Sequence, residues 1–377
     1  MSYAQSFNGL RFGWHALFGA ALIAGCSQPG KVRQDPATSG RPAGEQTSIG
    51  VKGNQQDPRS SPEQPSAPEL WFFLKDTPER MAKFNARGVR TIIDLRVLKT
   101  ETSIEWLRKL ADQDFGAAIC LRWANTEHEG PRPVGKENFD VPPTANEAAR
   151  AMEQLREIVT SEPAKRMGSR LYVQFYNEIG SGPGRFDLEH SDAMFDFATR
   201  AVRMLRRENP KIQICGAAHS GGVLHMVERA YETPERATRA EGVLRAIKWT
   251  AQNADVLDVH LNGINVDDDW AGEALQIARD ALDANGGQKV GLVSFEWSCS
   301  GYPARDDEGI RKRIHSIWEA MEKHQVRVAA YTYWPLMARP EDVRSRTSWA
   351  SVMNENLRPN HAVAETLVEI GASGTKK

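Results

Sequence analysis

From Pro68 onward the chain alternates between two kinds of hydrophobic pattern. Short apolar runs rich in β-branched and aromatic residues read as buried strands, and longer runs with apolar positions three and four apart read as amphipathic helices. In order, the strand-like and helix-like segments are 70–74 with 77–87, 89–96 with 103–111, 117–123 with 146–161, and 171–178 with 191–208. The remaining segments are 211–217 with a longer stretch that closes in a helix at 243–253, then 256–261 with 270–284, 290–296 with 307–324, and 328–334 with 360–370. Thr77 is placed to cap the first helix and Gly88 to stop it. Crossovers of helical length force successive strands to run parallel, so eight strand–helix pairs in about 310 residues predict a single (β/α)₈ barrel over 68–377. A doubly wound open sheet is the alternative, but it gives no reason for what lies at the strand ends.

Those ends are polar and aromatic where the runs before them are apolar. They read Lys75-Asp76, Arg96, Arg122-Trp123, Asn177-Glu178, His219, His260-Leu261-Asn262, Glu296-Trp297 and Tyr333-Trp334. In a barrel these positions share one rim, where such enzymes keep their chemistry. Two of them are glutamates on different strands, Glu178 and Glu296. A pair of carboxyl groups is the equipment of glycoside hydrolysis, one to protonate the leaving oxygen and one to attack the anomeric carbon or activate water.

Set out this way, the segment 68–377 resembles the clan A glycoside hydrolases, (β/α)₈ retaining glycosidases with the acid/base at the end of strand four and the nucleophile at the end of strand seven. The likeness rests on Asn177-Glu178, Glu296, Arg96, His260 and Trp334 at the ends of strands four, seven, two, six and eight. It implies Glu178 as acid/base, Glu296 as nucleophile and Arg96 as the cation that keeps Glu296 ionised. It further implies Asn177 on the sugar 2-hydroxyl, His260 in the site, and Trp334 as a stacking floor, with Trp123 and Trp297 as further platforms. Two departures stand out. Ile179-Gly180 follow the acid/base where a proline is common, and Leu261-Asn262 stand where a tyrosine usually touches the nucleophile, leaving Tyr302 or Tyr333 as candidates. The expectation is therefore a monomeric retaining glycosidase acting on an oligo- or polysaccharide, with no cofactor and no metal. A catalytically silent carbohydrate-binding lipoprotein on the same scaffold is the alternative.

The amino terminus is of another kind. Arg11 precedes an apolar run that ends in Leu22-Ile23-Ala24-Gly25-Cys26 and is too short to span a bilayer. This resembles the lipobox of bacterial lipoproteins, which implies a signal peptide over 1–26, acylation of Cys26 and a membrane anchor. Ser27 at the next position points, by the same resemblance, to the outer membrane of a bacterial envelope. Residues 27–67 lack aromatic side chains and are dominated by Pro, Gly, Ser and Gln, so they predict a disordered tether. Across about 40 residues its reach is roughly 35 Å. The formal net charge of -1 gives no electrostatic case for nucleic acid. None of the four cysteines has a partner at zinc-ligand spacing, so Cys120, Cys215 and Cys299 are expected as buried thiols, with one disulfide left open.

Overall fold

The structure, a computed structural model, describes residues 67–73, 81–124, 129, 140–179, 188–228, 234–262, 269–299, 307–332 and 361–373. The chain divides into the units Met1–Ser60 and Ser61–Lys377, and the described residues lie in the second. The expected signal peptide, Cys26 and nearly all of the tether therefore lie outside them, as do Lys75, Asp76, Tyr302, Tyr333 and Trp334.

Eight parallel strands close into a barrel in sequence order, β1 pairing back onto β8. They are β1 (Glu69–Phe73), β2 (Gly88–Asp94), β3 (Gly116–Arg122), β4 (Leu171–Phe175), β5 (Gln213–Ser220), β6 (Val256–Asn262), β7 (Gly291–Ser298) and β8 (Val326–Tyr331). The helices around them are α1 (Thr100–Asp112), α2 (Ala145–Thr160), the short α3 (Glu162–Met167), α4 (Leu188–Glu208), α5 (Gly221–Glu228), α6 (Pro234–Asn253), α7 (Trp270–Ala284), α8 (Asp307–Lys323) and α9 (His361–Ser373). Helix α2 shows why the pattern is helical. Ala148, Ala151, Leu155, Ile158 and Val159 bury one stripe, and Thr144 and Glu147 close a reciprocal capping box at its start. Among the described residues no helix is long and apolar enough to cross a membrane.

The barrel interior is stoppered at its amino end. Trp71, Tyr172 and Phe295 meet there with ring centroids 5.3–6.0 Å apart. Gly88 and Gly116 make room for the indole, since a Cβ on either would fall 2.5 Å from a Trp71 ring atom. Above this plug the interior changes character. Arg90, Gln174 and Asp258, all fully buried, form a polar layer in the middle of the barrel. Cys120, Cys215 and Cys299 are buried free thiols, and burial pushes Cys120 up to about 12 and Cys299 up to about 11, which keeps both unreactive.

Candidate active site

The carboxyl end of β4 is held in an unusual backbone shape. Tyr176 and Glu178, on either side of Asn177, both have positive φ, 68° and 48°. The left-handed region costs a residue with a side chain about 1–2 kcal/mol, and such strain persists only where surrounding bonds enforce it. Here they do. Tyr176 N–H donates to Leu121 O, its carbonyl accepts from Ala218 N–H, and Ile179 N–H donates to Ala218 O. The Tyr176 hydroxyl donates to the Met194 carbonyl at 2.6 Å, so the ring is pinned on the helix side while Asn177 and Glu178 turn to the mouth.

Glu296 comes from β7, and three side chains converge on it. Asn262 Nδ2 donates to Oε1 at 2.9 Å, Arg90 Nη1 donates to Oε2 at 3.2 Å, and His260 Nδ1 lies 3.4 Å from Oε2. The same His260 nitrogen lies 3.2 Å from Glu178 Oε1, and the other, Nε2, lies 3.0 Å from Asp258 Oδ2. One oxygen of each glutamate and a ring nitrogen of His260 fall within 4.8 Å of one another. Asn177 joins through its amide oxygen, which accepts from Arg90 Nη2.

The electrostatics follow from this crowding. Both nitrogens of His260 face carboxylate oxygens. Burial works against the imidazolium, but the charges of Asp258 and Glu296, with hydrogen bonds to Asp258 and Glu178, push it up to about 10. Burial also lifts Glu296 above the ordinary carboxylate range; His260 pulls it down, Glu178 pushes it further up and Arg90 pulls it down again. The negative charge of Glu178 thus disfavours a second negative charge on Glu296. Arg90, His260, Glu178, Glu296 and Asp258 sum to -1 when all are ionised, so one added proton makes the cluster neutral.

Several expected site residues lie elsewhere. Arg96 is not the cation on Glu296. Strand β2 ends at Asp94, two residues earlier than the pattern implied, and the turn that follows sends Arg96 to the side of the barrel. Its guanidinium binds Glu147 at 2.9 Å and the carbonyls of Ala124 and Val141, and it lies over the Trp123 ring. Trp123 and Trp297 are completely buried and so offer a sugar no face. Trp123 packs edge-on against Phe197, and Trp297 against Tyr331 and, tilted, Trp318 of α8. His219 is buried within β5, and burial pushes it down to about 4, so it is neutral. Arg90, Gln174 and Asp258 were the residues the strand-end reading missed. Their signal was a polar residue interrupting an apolar run, in Val89-Arg90-Thr91, Val173-Gln174-Phe175 and Leu257-Asp258-Val259.

The Arg96–Glu147 pair is instead a structural clamp at the root of the β3–α2 connection, with both side chains fully buried. Burial opposes the Glu147 carboxylate, yet backbone N–H groups of Glu129 and Thr144 together with Arg96 hold it down at about 2, against 4.5 for an ordinary Glu. A carboxyl depressed on folding stabilises the fold above its unfolded pKa and loses that contribution as pH falls towards the folded value. Glu147→Gln is therefore expected to cost about 3–5 kcal/mol at pH 7. The deficit should shrink as pH drops from 4.5 towards 2. Urea unfolding of wild type and variant at pH 7 and pH 3 measures this, and an equal deficit at both would show that the charge is irrelevant.

No protein-family model matches the sequence, and no curated protein is similar to it. Solved structures are. A glucosidase from Croceicoccus marinus superposes with a TM-score of 0.56 at 12% identity, over 82% of this chain and 68% of that one. An exo-beta-1,4-mannosidase from an Opitutaceae bacterium gives 0.51 at 13%, over 82% and 60%. A xylanase from Paenibacillus barcinonensis gives 0.50 at 14%, over 81% and 99%. The chain thus matches the full length of the xylanase but spans only 60–68% of the other two. At these identities the likeness establishes a shared fold.

Proposed function

We propose that this protein is a retaining glycoside hydrolase acting on an oligo- or polysaccharide, with Glu296 as nucleophile and Glu178 as acid/base. The observation that carries the reading is that one oxygen of Glu178 and one of Glu296 come within 4.8 Å of each other, both beside the same His260 nitrogen. Retaining pairs stand about 5–5.5 Å apart, whereas inverting pairs need about 6.5–9.5 Å to admit a water between them.

The donors assign the roles. His260 lies beside both glutamates, but Arg90 and Asn262 bind Glu296 and favour its ionised form, so we place the proton that neutralises the cluster on Glu178. In the first step Glu296 attacks the anomeric carbon while Glu178 gives its proton to the departing oxygen. In the second, Glu178 takes a proton from water, which displaces Glu296 from the glycosyl-enzyme. Arg90 occupies the Asn177 amide oxygen, which leaves Nδ2 to donate to the sugar 2-hydroxyl, a bond that strengthens as positive charge develops on the ring. We assign the stacking floor to Trp334. On the sequence pattern alone, we also propose that Cys26 is acylated and that the barrel works at a bacterial outer membrane on a tether.

A panel of chromogenic aryl glycosides and polysaccharides identifies the substrate, and proton NMR of the first-formed sugar then tests the mechanism. The product should keep the substrate's anomeric configuration before mutarotation. The opposite anomer would rule out double displacement.

A further inference from the structure

Asp258 lies beneath the two glutamates, completely buried, and no step of the proposed reaction touches it. It nevertheless ties together the strands that carry the site. Its Oδ1 accepts the backbone N–H of Phe295 on β7 at 2.8 Å. Its Oδ2 accepts from Gln174 Nε2 on β4 and faces His260 Nε2 on β6, and Gln174 Oε1 in turn accepts from Arg90 on β2.

The bond to Phe295 coincides with a fault in the sheet. Between the partners Asp258↔Val293 and Leu261↔Trp297, β6 advances three positions while β7 advances four. Against β8, between Ser294↔Ala329 and Trp297↔Tyr331, β7 advances three while β8 advances two. Strand β7 thus holds one extra residue relative to β6, which is a bulge, while against β8 an opposite shift between Leu292↔Val326 and Ser294↔Ala329 compensates, so those two strands regain register by Trp297↔Tyr331. Its effect is visible in the side chains. Val293 and Phe295 face the barrel interior, as alternation requires, and so does Glu296, whereas Trp297 packs outward on α8. In a regular strand Glu296 would have followed Ser294 to the outer face. The bulge takes the Phe295 N–H out of the ladder, and a buried N–H without an acceptor is strongly disfavoured.

We propose that Asp258 is a positioning residue whose one oxygen caps the N–H freed by the β7 bulge, so that Glu296 is aimed into the barrel, and whose other oxygen fixes His260 between the two glutamates. The catalytic consequence rests on Glu296 acting as described above; the bulge and its cap are measurable without substrate. The charged groups facing His260 are Asp258 of β6, Glu178 after β4 and Glu296 of β7, with Arg90 of β2 reaching it through Glu296, and His219 of β5 neutral beside it.

Two variants separate the two oxygens. Asp258→Asn keeps a carbonyl for the Phe295 N–H and removes the charge, while Asp258→Ala removes both. In the alanine variant, hydrogen exchange at the Phe295 amide should quicken by about 10²-fold or more, and kcat on an aryl glycoside should fall by about 10²-fold with KM moving much less, as expected when the nucleophile is misaimed. In the asparagine variant the Phe295 amide should stay protected while the His260 titration, followed by NMR of ¹⁵N-labelled histidine, drops by about 1–3 pH units. Unchanged exchange and kcat in Asp258→Ala would overturn the cap, and an unmoved His260 titration in Asp258→Asn would overturn the second half. Should the alanine variant not fold, the wild-type Phe295 amide decides: protection supports the cap, and exchange at loop-like rates overturns it. A wild type that cleaves no glycoside, with exchange and titration as expected, would count against the hydrolase reading alone.

Discussion

Glu296→Ala is expected to lower turnover of aryl glycosides by about 10⁴–10⁶-fold, because the covalent route has no substitute for its nucleophile. The alanine leaves a hole on one face of the sugar, next to Arg90 and Asn262. A small anion such as azide or formate should enter it and attack the anomeric carbon directly. The product then has the anomeric configuration opposite to the substrate's, since only one displacement has occurred. Fluoride or nitrophenolate leaving groups make the rescue measurable. An alanine variant with wild-type turnover would show that another group is the nucleophile, and rescue with retained configuration would assign Glu296 the acid/base role instead.

Glu178→Ala should behave differently, and the difference is the diagnostic. Its loss removes general acid assistance, worth about 10²–10⁴-fold, but only where the leaving group needs a proton. Unactivated glycosides should be slowed by that amount and dinitrophenyl glycosides far less in their first step. For these, water attacks the glycosyl-enzyme without a base, so the intermediate should accumulate and appear as a burst followed by a slow steady state. Azide should then speed the second step and give a product of retained configuration. The alkaline fall in kcat/KM, which reports loss of the proton on the acid, should also disappear. A uniform loss across all leaving groups would instead mean that Glu178 only shapes the site.

The barrel and its two glutamates were legible because they need only local information. Strand length, helical spacing and the point where an apolar run ends are written in the chain, and Glu178, Asn177, His260 and Glu296 stand at such points. The errors share a different cause. Arg96 was assigned to the mouth because the strand was read two residues too long, and only the backbone turn after Asp94 shows where it points. Trp297 was placed at the mouth by the resemblance and by its position at a strand end, and a bulge, a non-local event in the pairing of the strands, turns it outward and Glu296 inward. Trp123 follows Arg122 by one residue, so the two must face opposite sides, and the buried ring took the helix side. Arg90, Gln174 and Asp258 were visible as polar breaks in apolar strands, yet nothing local says that the three would meet. Asn262, one of the two residues that stand where the resembling family usually has a tyrosine, donates to Glu296, a use the sequence displayed without indicating.

The aromatic plug of Trp71, Tyr172 and Phe295 has a consequence for traffic. With the far end of the tube corked, every molecule that visits the reaction centre must come and go by the same doorway. In the proposed reaction, departing aglycone and arriving water would therefore queue for one vacancy, and an alcohol waiting there would take the water's turn. Glycosyl transfer to such an acceptor would then compete with hydrolysis in proportion to how slowly the first fragment clears the opening.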